Sequence, residues 1–436
     1  MTDNRSPLPY RLNSECAVVF SSCDHDPEQS YFCGYYYPSP LKSGRLLCHR
    51  TAFDGRNITE ADSCEIGYWD TATRHFVVCG RTFAFNWQQG AMLQWLPEGR
   101  SFIYNNREGN RFVAEIGDVR DGSVRRLASP VYVVHPSGRF ALAANFEHLA
   151  FCREGYNYQG VRNKRWDVFI DPQDGISRVD LETGETRLIV STADVAAIRA
   201  KVDMRGCYHW LEHMIWNPSG TRFAFLHRWA PGDPSGAGHR TRLFTADASG
   251  QSLFMFPDTG FYSHMNWRAD DVFTVWGMIP EGLLPQVLAP ASAVRRVLRP
   301  LYHRVRRFLP PMIARRNQAF QAFLSYKDVS RDWEVAGQGI LDRNGHNTWS
   351  ADGSYMLTDT YADENHYRHL ALYDSLRHEL IPIGRFYSPF NDSVFRCDLH
   401  PRFGEEEGQV IVDSAHAGRR HVYMIDITKL LKDRSS

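Results

Sequence analysis

The stretch 213–229, HMIWNPSGTRFAFLHRW, decides the fold. Two apolar, aromatic-rich runs flank Asn-Pro-Ser-Gly, and alternating strands around a tight polar turn are the signature of a β-hairpin. The same phrase recurs as MLQWLPEGRSFIYNN (92–106), VYVVHPSGRFALAAN (131–145) and SHMNWRADDVFTVWG (263–277). It returns again as HNTWSADGSYMLTDT (346–360) and CDLHPRFGEEEGQVIVDSA (397–415). A second phrase, a strand ending in Asp and followed by another strand, comes after the first. Its copies are IGYWDTATRHFVVC (66–79), VAEIGDVRDGSVRRLA (113–128), ISRVDLETGETRLIV (177–191), LFTADASGQSLFMF (243–256), LALYDSLRHELIPIG (370–384) and VYMIDITKLL (422–431).

An inner hairpin followed by an outer one makes a four-stranded blade of roughly 40–50 residues. Six inner copies, and a seventh implied near YFCGYYYPSPLKSGRLLCHR (31–50), predict an all-β, seven-bladed propeller spanning 1–436 as a single unit. The apolar run CAVVFSS (16–22) is expected to supply the outermost strand of the last blade and so remove two open sheet edges. Two repeat steps are about twice the usual length, and each reads as one blade with an insertion. One insertion, 154–173, is a loop of aromatics and cations. The other, 280–326 in the fifth blade, has a helical rhythm broken by prolines and a basic face from Arg295, Arg296, Arg299, Arg304, Arg306, Arg307, Arg315 and Arg316. Its segment 280–320 could dock a membrane surface or a protein partner, or simply lie over the rim as a solvated helical lid.

Composition narrows the classes. The chain has 436 residues, with 50 basic against 50 acidic ones, and this balance argues against a nucleic-acid binder. No apolar run approaches the ~18–20 residues of a membrane helix. The opening MTDNRSPLPYRLNSE lacks a basic segment followed by an apolar core, so the expectation is a cytoplasmic protein. There are nine cysteines but no CxxC pair, and most sit in apolar runs as small hydrophobes. Neither a nucleophile elbow nor a P-loop occurs.

Histidines gather where inner strands begin: His209 and His213 before the fourth blade, His264 at the fifth, His346 at the sixth, and His400 beside Cys397 at the seventh. Residues at these positions can converge on one face of a propeller. The set His264, His346, Cys397 and His400, with His416 in reserve, would suit a divalent metal; its S and N donors prefer zinc, with manganese or calcium open. The alternative is that these histidines cap blade ends. The tryptophans at 95, 216, 267 and 349 recur at one repeat position and read as packing between blades.

The phrases HMIWNPSGTRFAFLHRW, GHNTWSADGSYMLTDTYAD and RCDLHPRF with VIVDSAHAGRRHVYMIDI resemble the propeller polysaccharide lyases, which include the oligogalacturonate and ulvan lyases. The resemblance implies β-elimination beside a uronic acid: a cation neutralises the carboxylate, a base removes the C5 proton, and an acid protonates the leaving oxygen. It implies His213 as the base, with His209 beside it as a further candidate, and His264 and His346 as metal ligands. Tyr158, with Tyr156 second, best matches the tyrosine of the ulvan lyases. Arg153 and Arg228 are candidates for holding the carboxylate. The early-blade histidine of that group is missing; Asn86, Gln88, Gln89 and Asn106 occupy the region and could bind sugar hydroxyls. A uronate-containing oligo- or polysaccharide is the implied partner. Two other classes stay open: a non-catalytic scaffold or glycan-binding propeller, and a glycoside hydrolase using Asp359, Asp363, Glu364 or Asp413.

Overall fold

The structure, a computed structural model, describes residues 9–35, 38–231, 238–280, 320–390, 394–406 and 408–432. These residues form seven antiparallel sheets, the blades of a β-propeller. From the axis outward, the first blade runs Ser30–Phe32, Arg45–Thr51, Cys64–Asp70, His75–Thr82. The inner strands of the next five begin at Gln94, Val133, Cys207, Tyr262 and Asn347. The seventh blade runs Arg402–Phe403, Gln409–Ser414, His421–Asp426, and its outermost strand is Ala17–Ser21, paired with His421–Asp426. The ring is closed by the N-terminal strand, as the apolar run at 16–22 predicts. Tyr10–Leu12 adds a fifth strand to the sixth blade along Glu379–Tyr387, a pairing the repeat pattern does not announce.

Side chains alternate across each strand, so every blade offers apolar rows to both neighbours. The core is accordingly a series of shared clusters. Leu47 and Ile66 of blade one pack with Phe102 and Tyr104 of blade two, and the series ends where Trp69 and Leu46 of blade one meet Ile411 and Val422 of blade seven. Trp95, Trp216, Trp267 and Trp349 are buried in these seams. Trp95 donates to the Pro40 carbonyl at 2.8 Å and Trp267 to that of Ile215 at 3.1 Å, each tying its blade to the preceding one.

The insertion expected at 280–326 needs a correction at its end. Gln321–Lys327 is the third strand of the fifth blade, paired with Val272–Met278, and Trp333–Val335 is the fourth. Its run QAFLSYK is buried on both faces, so it lacks the alternation that marks a strand. Residues 281–319, including all eight arginines, lie outside the described residues.

Successive strands reverse direction. The chain therefore enters each innermost strand, and crosses from the second to the third, on the same face. The histidine positions and the long connection 144–174 emerge together there.

Candidate functional site

His213, His264, His346 and His400 share one repeat position, three residues before an aromatic of the blade: the buried Trp216, Trp267 and Trp349 and the half-buried Phe403. A separation of three would place the pair on opposite strand faces, with the histidine away from the seam. Local irregularity completes the turn toward the axis. The ladder slips between Glu212 and Ile215 and between Tyr262 and Met265, and His213 (φ 56°) and His400 (φ 45°) hold left-handed backbone that side chains other than glycine rarely adopt. The imidazoles of His264 and His346 have centroids 4.0 Å apart, and those of His346 and His400 lie 4.4 Å apart. Tyr35 stands among them, its ring 4.8–6.1 Å from all four.

The hydrogen bonds leave ligand atoms open. His346 Nδ1 faces both Asp359 oxygens at 3.0 and 3.1 Å, which assigns its proton to Nδ1 and leaves the buried Nε2 without a partner among the described residues. His264 Nδ1 donates to Asn344 Oδ1 at 3.0 Å. Neither nitrogen of His400 has a hydrogen-bond partner among the described residues; Nε2 lies 3.9 Å from Asp398 Oδ2 and Nδ1 3.6 Å from Asp413. One ligand atom each from His346, Asp398 and His400 falls within 4.8 Å of the others, so these three could hold a metal ion. Burial depresses the His400 imidazole to about 4 and, with His346 beside it, keeps His264 well below its usual range. Both are thus in the unprotonated form that binds metals. Burial alone would raise Asp398, but Arg368 and Arg396 hold it well below the usual carboxylate range. The donors fit a divalent cation: imidazole nitrogen and carboxylate oxygen, aimed at one space.

Beside this group lies a second one. Glu212 is buried, with Arg228 Nη1 at 2.7 Å, Arg153 Nε at 3.3 Å and His213 Nδ1 at 3.6 Å from Oε1. Burial opposes its charge, yet Arg228 and Arg153 keep it ionised. Burial lowers His213 despite Glu212, so this imidazole is neutral at pH 7. Tyr156 links the groups: its ring lies under the Arg153 guanidinium (4.4 Å) and 5.5 Å from His213, and its hydroxyl is 3.5 Å from Arg396 Nη2. Arg396 binds Asp398 at 2.8 Å, and the Tyr361 hydroxyl is 3.5 Å from His264 Nε2.

The structure thus brings together His213, His264, His346, His400, Arg153 and Tyr156. It does not bring in Cys397 or His416. Arg396, Asp398 and His400 meet at the site, whereas of the alternate residues Leu399 packs into the blade's core and Cys397 is buried outside the ligand group. Burial pushes the Cys397 thiol up to about 12, so it is not a thiolate. His416 sits between the tilted rings of Tyr10 and Tyr423, 4.7 and 4.6 Å away. Tyr158, expected to face a substrate, is fully buried: its ring stacks on Phe146 at 4.6 Å and its hydroxyl accepts from Asn105 at 3.1 Å. His209 is bonded to His227 at 2.9 Å and to the Met204 carbonyl, within the fourth blade. Arg228 is sealed against Glu212. Asn86 accepts from the amides of Gln88 and Gln89 and so shapes a turn, and Gln89 donates to the Tyr132 hydroxyl at 2.7 Å. Asp398, Glu212, Arg396, Tyr361 and Tyr35 are absent from the sequence-derived set. For Asp398, the period-two alternation with His400 in RCDLH was the available signal.

Fold and site together define a seven-bladed propeller with a histidine–carboxylate group on its axial face. Two solved structures share this architecture over almost the whole chain. One is an oligogalacturonate lyase from Vibrio parahaemolyticus, with a TM-score of 0.59, 14% identity and 96% of each chain covered. The other is an oligogalacturonate lyase in complex with manganese, with a TM-score of 0.60, 15% identity, and 97% of this chain and 96% of that chain covered. No family profile and no curated protein matches the sequence.

Proposed function

We propose that the protein is a lyase that cleaves a uronate-bearing oligosaccharide by β-elimination at the axial histidines, with a divalent metal held by His346, His400 and Asp398 and with His264 beside them. The observation that carries this reading is the convergence of four imidazoles, of which His213, His264 and His400 are unprotonated, and one carboxylate beside the partly open Arg153, Arg396 and Tyr361. The manganese of the structural relative supports a divalent ion. With Cys397 outside the group no soft sulfur donor remains, so the preference for zinc loses its basis and manganese fits the nitrogen and oxygen donors. A bound ion would supply positive charge against the uronate carboxylate.

The chain's own residues account for the rest. Arg153 and Arg396 side chains are each 21% exposed and can grip a carboxylate. His213, neutral by burial, is the base for the C5 proton. Tyr361 turns its hydroxyl end inward at His264; burial of that end and the charge of Asp398 keep it protonated, which suits the acid that meets the leaving oxygen. A hydrolase reading has less support, because Asp359 is bonded to His346 and Asp413 to the amides of Cys33 and Gly34.

The test is incubation of the manganese-loaded protein with oligogalacturonates, following ultraviolet absorbance of the unsaturated product. His213→Ala is expected to lower the rate by about 10²–10⁴-fold. New reducing ends without absorbance would replace the lyase by a hydrolase.

A further inference from the structure

The connection 144–174 does more than carry Arg153 and Tyr156 to the site. It opens with the helix Phe146–Cys152, capped by Asn145, whose side chain accepts from the His148 amide. Beyond Tyr156 the chain is stapled to its neighbours. Tyr158 is locked beneath it by Asn105, Arg107 Nη1 donates to the Gln159 carbonyl at 3.0 Å, and Arg107 Nη2 donates to that of Glu60 at 2.7 Å. A side chain at Gly160 (φ 88°) would collide with the Arg107 guanidinium, so the residue's bareness permits that staple.

Outside the staple, the loop and the rims of blades one and two enclose a cleft of about 740 Å³, lined by Asn110, Gln159, Arg162, Asn163, Lys164 and Trp166 among others. Trp166 is 57% exposed, its nearest aromatic neighbour being Phe151 at 6.3 Å. Arg162 and Lys164 make no ion pair among the described residues, and Glu60 is the one acidic residue of the lining. An exposed indole offers a flat apolar face to a sugar ring, the amides can bond hydroxyls, and two cations outnumbering the single lining carboxylate attract acidic groups. Asn110, at the turn between the second and third strands, places the cleft on the histidine face.

We propose that this cleft is a distal subsite for an acidic saccharide chain whose reacting end lies at the axial histidines, the loop 153–166 joining the two. The identity of the reacting end rests on the lyase reading; the binding itself does not.

The experiment is calorimetric binding of hexagalacturonate and digalacturonate to the His213→Ala protein, with and without Trp166→Ala or the pair Arg162→Ala/Lys164→Ala. Trp166 and both cations are exposed, so these changes leave the fold intact. The expected result is an affinity for the hexamer about tenfold weaker in either cleft variant, with the dimer unaffected and the effect of the cations shrinking in salt. In a His213-intact background, Trp166→Ala is expected to raise KM for the hexamer and leave kcat on the dimer unchanged. Unchanged hexamer affinity in both cleft variants would overturn the subsite, and so would equal binding of neutral cellohexaose. Absence of elimination with cleft-dependent binding intact would sink the lyase reading and leave the subsite standing.

Discussion

Asp359 decides which nitrogen of His346 is available. Its oxygens face Nδ1 and accept the His346 backbone amide at 2.7 Å, and Oδ2 also accepts from the His400 amide at 3.2 Å. One carboxylate thus orients two imidazoles from adjacent blades without touching the ligand space. Asp359→Asn is expected to weaken manganese binding by about 10–100-fold while the fold persists. Calorimetric titration of the metal-free protein checks this, and unchanged affinity would remove Asp359 from the support of the site. At this scale the sequence was only partly readable. The histidines stood out because they recur at one repeat position. Tyr158 misled because its flanking glycines suggest an open loop, whereas its burial depends on Asn105, 53 residues away and in another blade. Glu212 was invisible for a similar reason: its partners Arg153 and Arg228 come from different elements.

Among the elements, the closing strand Ala17–Ser21 has the clearest energetic role. Phe20, 4% exposed, packs its ring 5.6 Å from Trp69 of the first blade while its strand completes the seventh. Phe20→Ala is expected to cost about 3–5 kcal/mol, read from the denaturant midpoint; a loss below about 1 kcal/mol would mean that the ring is held closed elsewhere. The hairpin phrases made six inner hairpins legible because alternation and turn chemistry agree in each. The fifth blade's outer hairpin was hidden since Gln321–Lys327 follows a proline-broken helical rhythm and is itself continuously apolar. Tyr10–Leu12 was hidden because three residues carry no period.

For the whole molecule, closure into a ring buries several histidines in the neutral form. Burial depresses His49 and His421 to about 4, against about 6.5 in an unfolded chain. Between these values the unfolded chain takes up protons that the folded one refuses, so stability falls as pH drops from about 6.5 to 4. Each contributes at most about 1.4 kcal/mol per pH unit and nothing above pH 7. The buried pair His148 and Asp174, shifted to about 4 and about 7 respectively, acts with opposite signs and nearly cancels. Urea unfolding at pH 7.5, 6 and 5 should show this decline; a stability that rises toward pH 5 would contradict the neutral burial.

The most direct test of elimination at the axial histidines is the ultraviolet absorbance produced by the wild-type protein on oligogalacturonate, with manganese and after chelation. Absorbance that grows with manganese and stops with the chelator is the expected result. A folded, manganese-loaded protein that yields no unsaturated product from any uronate oligomer would contradict it.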